Sequence, residues 1–595
     1  MLRCPDAFIG FNRSNARKWT FVIIRGILSF LFLAVSMANA ADFGDIRINV
    51  EQPPQGESCH GYIEYRVSLN NRSSNRSHRV NIELSNINSG VTELRKISRL
   101  LDIAPQSQAN VSIFQPSLQF YSDRLNVEID GLPQSDGVPI RTAYSGHGWG
   151  SKAPLILLSQ SISIADCTSH PGLKPPTTYE PAIKFVNVAG SSAEWSRNWL
   201  GYTRYDGLMI PASDFNEAPA QIQAAIWKYV EVGGTLAVLG KIEIPVPWAS
   251  PSENIGSYKE FPVGFGTCMM CSEKDMSSID EITMKKIKDA WKKTLAPWER
   301  SYSTTNMYNT FPVVEGTAIP IRGMFLLMFL FTILIGPVNL YFLAKNKKKL
   351  WILWTVPFFS ILTCGVIFAY ASFIEGWDIT TRIEGFSIFD ENSQKATTLA
   401  WAGYYSPLTL SEGFHFGLDT EITLETESYS RGYEQRDREI DWTNDQHLGQ
   451  GWLNARIPTY LLLRKTEFRR ERLTLQDNPD GKAVLNGLAK TILKLTMADH
   501  DGKIFIAENI APGAVVKLHE TGQNITGKSV RSFRDIYMQK WIVAVDDYAK
   551  SCRQYLCPDT YIAELDQAVF MEESIKNPRY RREHWIVFGI MKGRS

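Results

Sequence analysis

Two apolar runs without Asp, Glu, Lys or Arg, residues 323–344 and 350–374, lie in mid-chain on either side of Lys345-Asn346-Lys347-Lys348-Lys349. Each has at least about 20 residues, enough for a helix to cross a bilayer. A connection this short holds no domain, so the pair is expected to form a transmembrane hairpin. Lys345, Lys347, Lys348 and Lys349 at its tip favour the cytoplasm. Both large flanking segments are then expected together on the other face of the membrane.

The start of the chain agrees. Arg13, Arg17, Lys18 and Arg25 precede an apolar core at 27–37, and Ala38-Asn39-Ala40 supplies small residues before Ala41. This pattern predicts a signal peptide over 1–40, cut before Ala41. The expected location is a bacterial inner membrane with two spans and both large segments periplasmic. A chain of 595 residues is too long for one core. Its net charge of +1 argues for no nucleic-acid partner. Six cysteines lie outside the signal and the spans: Cys59, Cys167, Cys268, Cys271, Cys552 and Cys557. In an oxidising compartment an even count suits disulfides. The expected pairs are Cys59 with Cys167 and Cys552 with Cys557, buried free thiols being the alternative.

Residues 41–170 carry short runs with partial alternation, at 46–50, 61–69, 78–84, 109–114, 124–129 and 155–161. Polar turn clusters separate them, which predicts a β-sandwich of immunoglobulin-like type. A Pro-rich stretch at 171–181 reads as a linker. Beyond it the pattern changes to an α/β unit over 180–300, with apolar strands at 184–189, 205–211 and 235–240. Between the last two, 219–232 predicts a helix with Ile222, Ala225, Ile226, Tyr229 and Val230 on its apolar face.

Tyr205-Asp206-Gly207-Leu208-Met209-Ile210-Pro211, the helix ending in Gly233-Gly234, and Thr235-Leu236-Ala237-Val238 together resemble the core of class I glutamine amidotransferase-like domains. The resemblance implies a flavodoxin-like α/β sandwich, with a nucleophilic Cys on an elbow just after the last of these strands. Leu239-Gly240-Lys241 stands there instead, with no thiol or hydroxyl to aim. No His occurs between His170 and His415 to serve as its base. The likeness therefore points to the fold and away from the activity. Asp206 and Asp214, at strand ends, are the only weak site candidates; solvated loop acids are the plainer reading.

Cys268-Met269-Met270-Cys271 has the spacing of a redox or metal motif. It reads as part of a strand, where residues three apart point to opposite faces. Core packing or separate disulfides are the expectation. A polar amphipathic helix is expected over 278–299, with Ile279, Ile282, Met284, Ile287 and Trp291 apolar.

The spans hold no acid or base for a proton or ion path. Gly336 and Pro337 allow close approach and a kink in the first span, and Asn339 can bond across helices. Gly336-Pro337-Val338-Asn339, the basic turn, and Trp351-x-x-Trp354-x-x-Pro357 resemble a group of uncharacterised bacterial envelope proteins. That likeness implies the same assembly of modules and no established activity. Residues 376–595 read as a second exported, β-rich domain, with helices expected at 532–548 and 561–576 and a closing strand at 585–591. The expected role is non-enzymatic: a scaffold, adaptor or binding subunit of an envelope complex, transporter-associated or not. Membrane lipid and protein partners are expected, with no cofactor, no metal and an unknown small-molecule ligand. The alternative is a hydrolase or transferase of the amidotransferase-like lineage with a displaced site.

Overall fold

The computed structural model describes residues 39–592 except 55, 88–92, 142–152, 175–180, 189, 246–247, 249, 256, 300–307, 315–320, 348, 376–377, 411, 426–436, 480, 526–531, 539–551, 577 and 579. Nearly all of the expected signal peptide thus lies outside the described residues. The expected cut falls within the strand Asn39–Phe43. The molecule is a mixed α/β structure dominated by sheets.

Alternation builds the first sheet. In Ile46–Glu51 and Ile63–Asn71, Ile46, Ile48, Val50, Tyr65, Val67 and Leu69 are buried while the residues between them are not. These strands join Asn39–Phe43 and Gln108–Gln115 in a four-stranded antiparallel sheet. A second sheet contains His78–Ser85, Leu94–Ile103 and Arg124–Ile129. Leu94–Ile103 escapes a sequence reading because Arg95, Lys96, Arg99 and Asp102 interrupt its alternation.

This second sheet is completed from beyond the hairpin. Arg438–Asp441 pairs in parallel with Leu94–Ile103, and Gln446–Leu448 and Phe414–Phe416 follow it outward. Trp442, fully buried, donates its indole N–H to the Phe114 carbonyl at 3.0 Å and packs edge-on to Tyr62. The segments before and after the apolar helices therefore share one sheet and one core. A hydrogen-bonded sheet cannot straddle a bilayer. Both segments consequently lie on the same side of any membrane that the hairpin crosses.

The α/β unit starts earlier than its composition suggests. Leu155–Leu158, expected in the sandwich, instead lies inside a seven-stranded sheet, in parallel between Lys184–Asn187 and Gly207–Pro211. All four of its residues are buried. An unbroken apolar run of this kind belongs to a strand covered on both faces. Thr235–Leu239 and Gly266–Cys271 extend the parallel set, giving the order 2-1-3-4-5 of a doubly wound sheet. Tyr258–Val263 and Glu253–Ile255 add an antiparallel edge. The stretch read as a linker is partly fixed: Gly172 and Leu173 are buried in a 3-10 turn, and the Lys288 ammonium donates to the Lys174 carbonyl at 3.2 Å.

Each face of this sheet feeds a different core. Leu157, Leu208, Leu236 and Cys268 face the large core shared with the helix Ala220–Glu231 and the other sheets. Ile156, Met209, Ala237 and Cys271 face a smaller one with Met284, Ile287 and Trp291 of the helix Glu281–Glu299. Ile282, expected on that apolar face, is instead exposed. Cys268 and Cys271 are thus divided by the sheet, as strand geometry requires. Burial raises both thiols, Cys271 to about 12.

The expected disulfides are not formed. Cys167 is a buried thiol in the smaller core, whereas Cys59 packs on the large one across the sheet, so the two cannot meet. Cys557 is likewise a buried thiol rather than the partner of Cys552.

After the hairpin, a nine-stranded sheet sets Tyr580–Ile590 near its middle, parallel to Thr380–Asp390. The helix expected at 561–576 is a strand, Thr560–Leu565, with bends after it. Neighbours on both sides claim its backbone hydrogen bonds, and tertiary pairing overrides local helix propensity. Of the helix expected at 532–548, Arg534–Met538 is helical and 539–548 lies outside the described residues.

Windows Met328–Lys345 and Ile352–Ala369 are long and apolar enough to cross a bilayer. Pro337 lies in a π-helical turn, Leu334–Val338. Proline has no N–H for the helical ladder and crowds the preceding turn, which the wider turn relieves. The Asn339 amide, buried between the helices, donates to the Thr355 hydroxyl at 2.8 Å.

Candidate functional site

In an open α/β sheet, ligands bind beyond the carboxyl ends of the strands where strand order reverses. Here that point lies beside Leu155–Leu158, and Asp214 occupies it on the short helix Ala212–Glu217. Its carboxylate accepts from the Ser159 and Ser161 hydroxyls, and its carbonyl accepts from the Ser192 hydroxyl at 2.8 Å. Burial pushes the Asp214 carboxyl up, but donation from Ser159, Ser161 and Ser213 outweighs it and holds the group below the usual range. The carboxylate is stably ionised and saturated with donors, a poor general base.

Asp206 caps the opposite end of the same strand, Gly207–Pro211. It is buried, with one oxygen 2.8 Å from His60 Nε2 and the other accepting the Leu155 N–H at 2.8 Å. The His60 ring stacks on Trp298 with centroids 5.0 Å apart, and the Arg464 guanidinium lies 4.9 Å from the Trp298 ring centroid. Arg464 forks onto Glu421 at 2.6 and 2.7 Å. The two candidate acids therefore never meet, and Asp206 belongs to an internal network in which both of its oxygens are engaged, with His60 Nδ1 left without a partner among the described residues. At the elbow position Gly240 takes a φ of +101°, a left-handed turn with no side chain to present.

The residues that do form an open site lie between the first sheet and the α/β unit. A pocket of about 460 Å³, including its mouth, is lined by Glu51, Glu64 and Arg66 on one side and by Leu157, Trp195 and Tyr202 among others on the opposite one. Glu64 is enclosed by protein on nearly all sides yet keeps part of its surface open to the pocket. It accepts from the Ser112 hydroxyl at 2.6 Å. Burial raises the carboxyls of both Glu64 and Glu51, with Arg66 opposing the shift. The Arg66 guanidinium bonds the Glu51 carboxylate and the Glu194 carbonyl. Arg204, on the segment leading into Gly207–Pro211, donates to the Pro54 carbonyl at 3.3 Å and to that of Gly56.

Sequence reasoning passed over these groups. In Ile63–Asn71, Glu64 and Arg66 alternate with buried Tyr65 and Val67, the signature of a solvent face. The α/β unit covers that face, and nothing local to the strand announces it. His415 pairs with Asp445 at 2.8 Å and stacks on His447. Asp499 accepts the N–H groups of Asp501 and Lys503 in a turn between two strands, Ile492–Ala498 and Lys503–Ile510. No protein-family model matches this chain, and no curated protein matches it.

Proposed function

We propose that this chain is a non-enzymatic envelope protein, held in a bacterial inner membrane by its two-helix hairpin, that acts as a scaffold or binding subunit on the periplasmic side. The observation that carries the reading is the shared sheet: Arg438–Asp441 beside Leu94–Ile103 makes the two flanking segments one body on one side of the hairpin. The Lys-rich tip favours the cytoplasm, which supports a periplasmic position for that body. On this reading the α/β unit is a catalytically degenerate relative of amidotransferase-like domains and the first two sheets are an immunoglobulin-like sandwich. Gly240 at the elbow and the closed pairing of Asp206 with His60 support the lack of activity. Membrane lipid and envelope proteins are its partners, with no cofactor.

Cross-linking in intact membranes, followed by mass spectrometry, tests the role; recovery of monomer alone would overturn it. Alkaline phosphatase fused after Ser595 should be active, and an inactive fusion paired with an active cytoplasmic reporter would reverse the topology.

A further inference from the structure

The pocket between the first sheet and the α/β unit has an unusual surplus of donors. Gln52 Nε2, Trp195 Nε1 and Arg204 Nε are buried N–H groups with no acceptor among the described residues, and all three residues line it. Trp195 and Arg204 are each only 2% exposed. Buried donors are almost always paired, so three orphans around one small space call for lone pairs supplied from outside the chain.

Charge narrows what can bring them. Arg66 and Arg204 are offset by Glu51 and Glu64, with Glu194 next to the Arg66 guanidinium, so the pocket gives an anion no net attraction. An ammonium group would suit the carboxylates but has no lone pair for the three N–H donors. Hydroxyl groups answer both needs, since each donates to Glu64 or Glu51 and accepts from an indole, amide or guanidinium N–H. Leu157, Trp195 and Tyr202 supply an apolar wall for the C–H face of a ring.

We propose that this pocket binds a neutral polyhydroxylated ligand, a single sugar unit. The proposal gives the binding-subunit reading its ligand class, and it is tested on the purified protein, so its failure leaves cross-linking to envelope partners unaffected. The full-length chain in phospholipid nanodiscs, free of sugar-based detergents, is titrated by calorimetry with glucose, N-acetylglucosamine, glycine and inorganic phosphate. Saturable binding of at least one of the two sugars is expected, with neither glycine nor phosphate competing. Trp195→Phe keeps the apolar ring and removes the donor; Glu64→Gln keeps the shape and removes the carboxylate. Each is expected to weaken binding about tenfold, the effect of losing one hydrogen bond to a buried group. Glu64→Gln is isosteric and decides the matter should Trp195→Phe not fold. The proposal is overturned if neither sugar binds at roughly 10 mM, beyond the millimolar end of ordinary affinity. Sugar affinity unchanged in the folded variants, or tighter binding of glycine or phosphate, overturns it equally.

Discussion

Asp206 and Glu64 are both acids taken out of bulk water, yet one is closed and the other open. Asp206 has each oxygen engaged, by His60 and by the Leu155 N–H, under a stack of His60, Trp298 and Arg464. Glu64 accepts from the Ser112 and Ser196 hydroxyls, yet it lines a pocket whose other lining residues include Gln52, Trp195 and Arg204, each with a buried N–H group that has no acceptor among the described residues. Burial by itself therefore does not mark a site. What separates the two is whether the acid borders a space that a molecule from outside could enter, as Glu64 does and Asp206 does not.

Substitution should expose that contrast in stability. Asp206→Ala leaves His60 and the Leu155 N–H unpaired in the interior, and a loss of about 3–5 kcal/mol is expected. Chemical unfolding of the purified protein measures it, and a loss under about 1 kcal/mol, the scale of an exposed pair, would break the contrast. Asp214 should give a smaller, pH-dependent effect. Its carboxyl is held down, so its contribution is present above the ordinary aspartate value and fades as pH falls through the folded value. The deficit of Asp214→Asn at neutral pH should accordingly narrow below about pH 4; melting curves from pH 7 to 3 check it, and a constant deficit would contradict it.

Glu64→Gln should move the other way. Its carboxyl is raised by burial, so the ionised form burdens the fold as pH climbs above the ordinary glutamate value. The variant should melt no lower than the parent at pH 7 and equal it near pH 4, about the ordinary glutamate value. A fall at pH 7 like that of Asp206→Ala would put Glu64 in the closed class. The smallest effect is expected of the thiols. Cys167, raised to about 12, and Cys268 and Cys271, raised by burial, should resist maleimide at pH 8 until the protein is unfolded. Labelling of any of them in the native state, read by peptide mass, would contradict their placement in the two cores.

Much of the fold was legible. The face predicted for the helix Ala220–Glu231, with Ile222, Ala225, Ile226, Tyr229 and Val230, is buried, because helical spacing and burial share a period. Asn339 does bond across the hairpin. Cys268 and Cys271 do face apart. Misreadings arose where a partner distant in sequence decided the outcome. Leu155–Leu158 reads as part of the sandwich and lies in the α/β sheet, because a short apolar run does not state which sheet it joins. Thr560–Leu565 looked helical until its neighbours on both sides are counted. Of the two candidate acids, Asp214 lies at the strand-order reversal and Asp206 in an internal network, while Glu64 and Trp195 carry no local signal of a site.

By itself the sequence determined two apolar helices joined by a basic turn, the short alternating strands around them, and a strand–helix–strand unit without a nucleophile at its elbow. These depend on local spacing, on charge and on the presence or absence of one side chain, all of which are written along the chain. Only the tertiary structure decided that Arg438–Asp441 would complete a sheet begun by His78–Ser85 and Leu94–Ile103, and that Glu64 and Trp195 would face each other across a pocket. Backbone N–H and C=O groups are alike at every residue, so a sheet edge carries no label for the strand that will cover it. A buried pocket likewise comes into being only when two separately patterned surfaces close on one another.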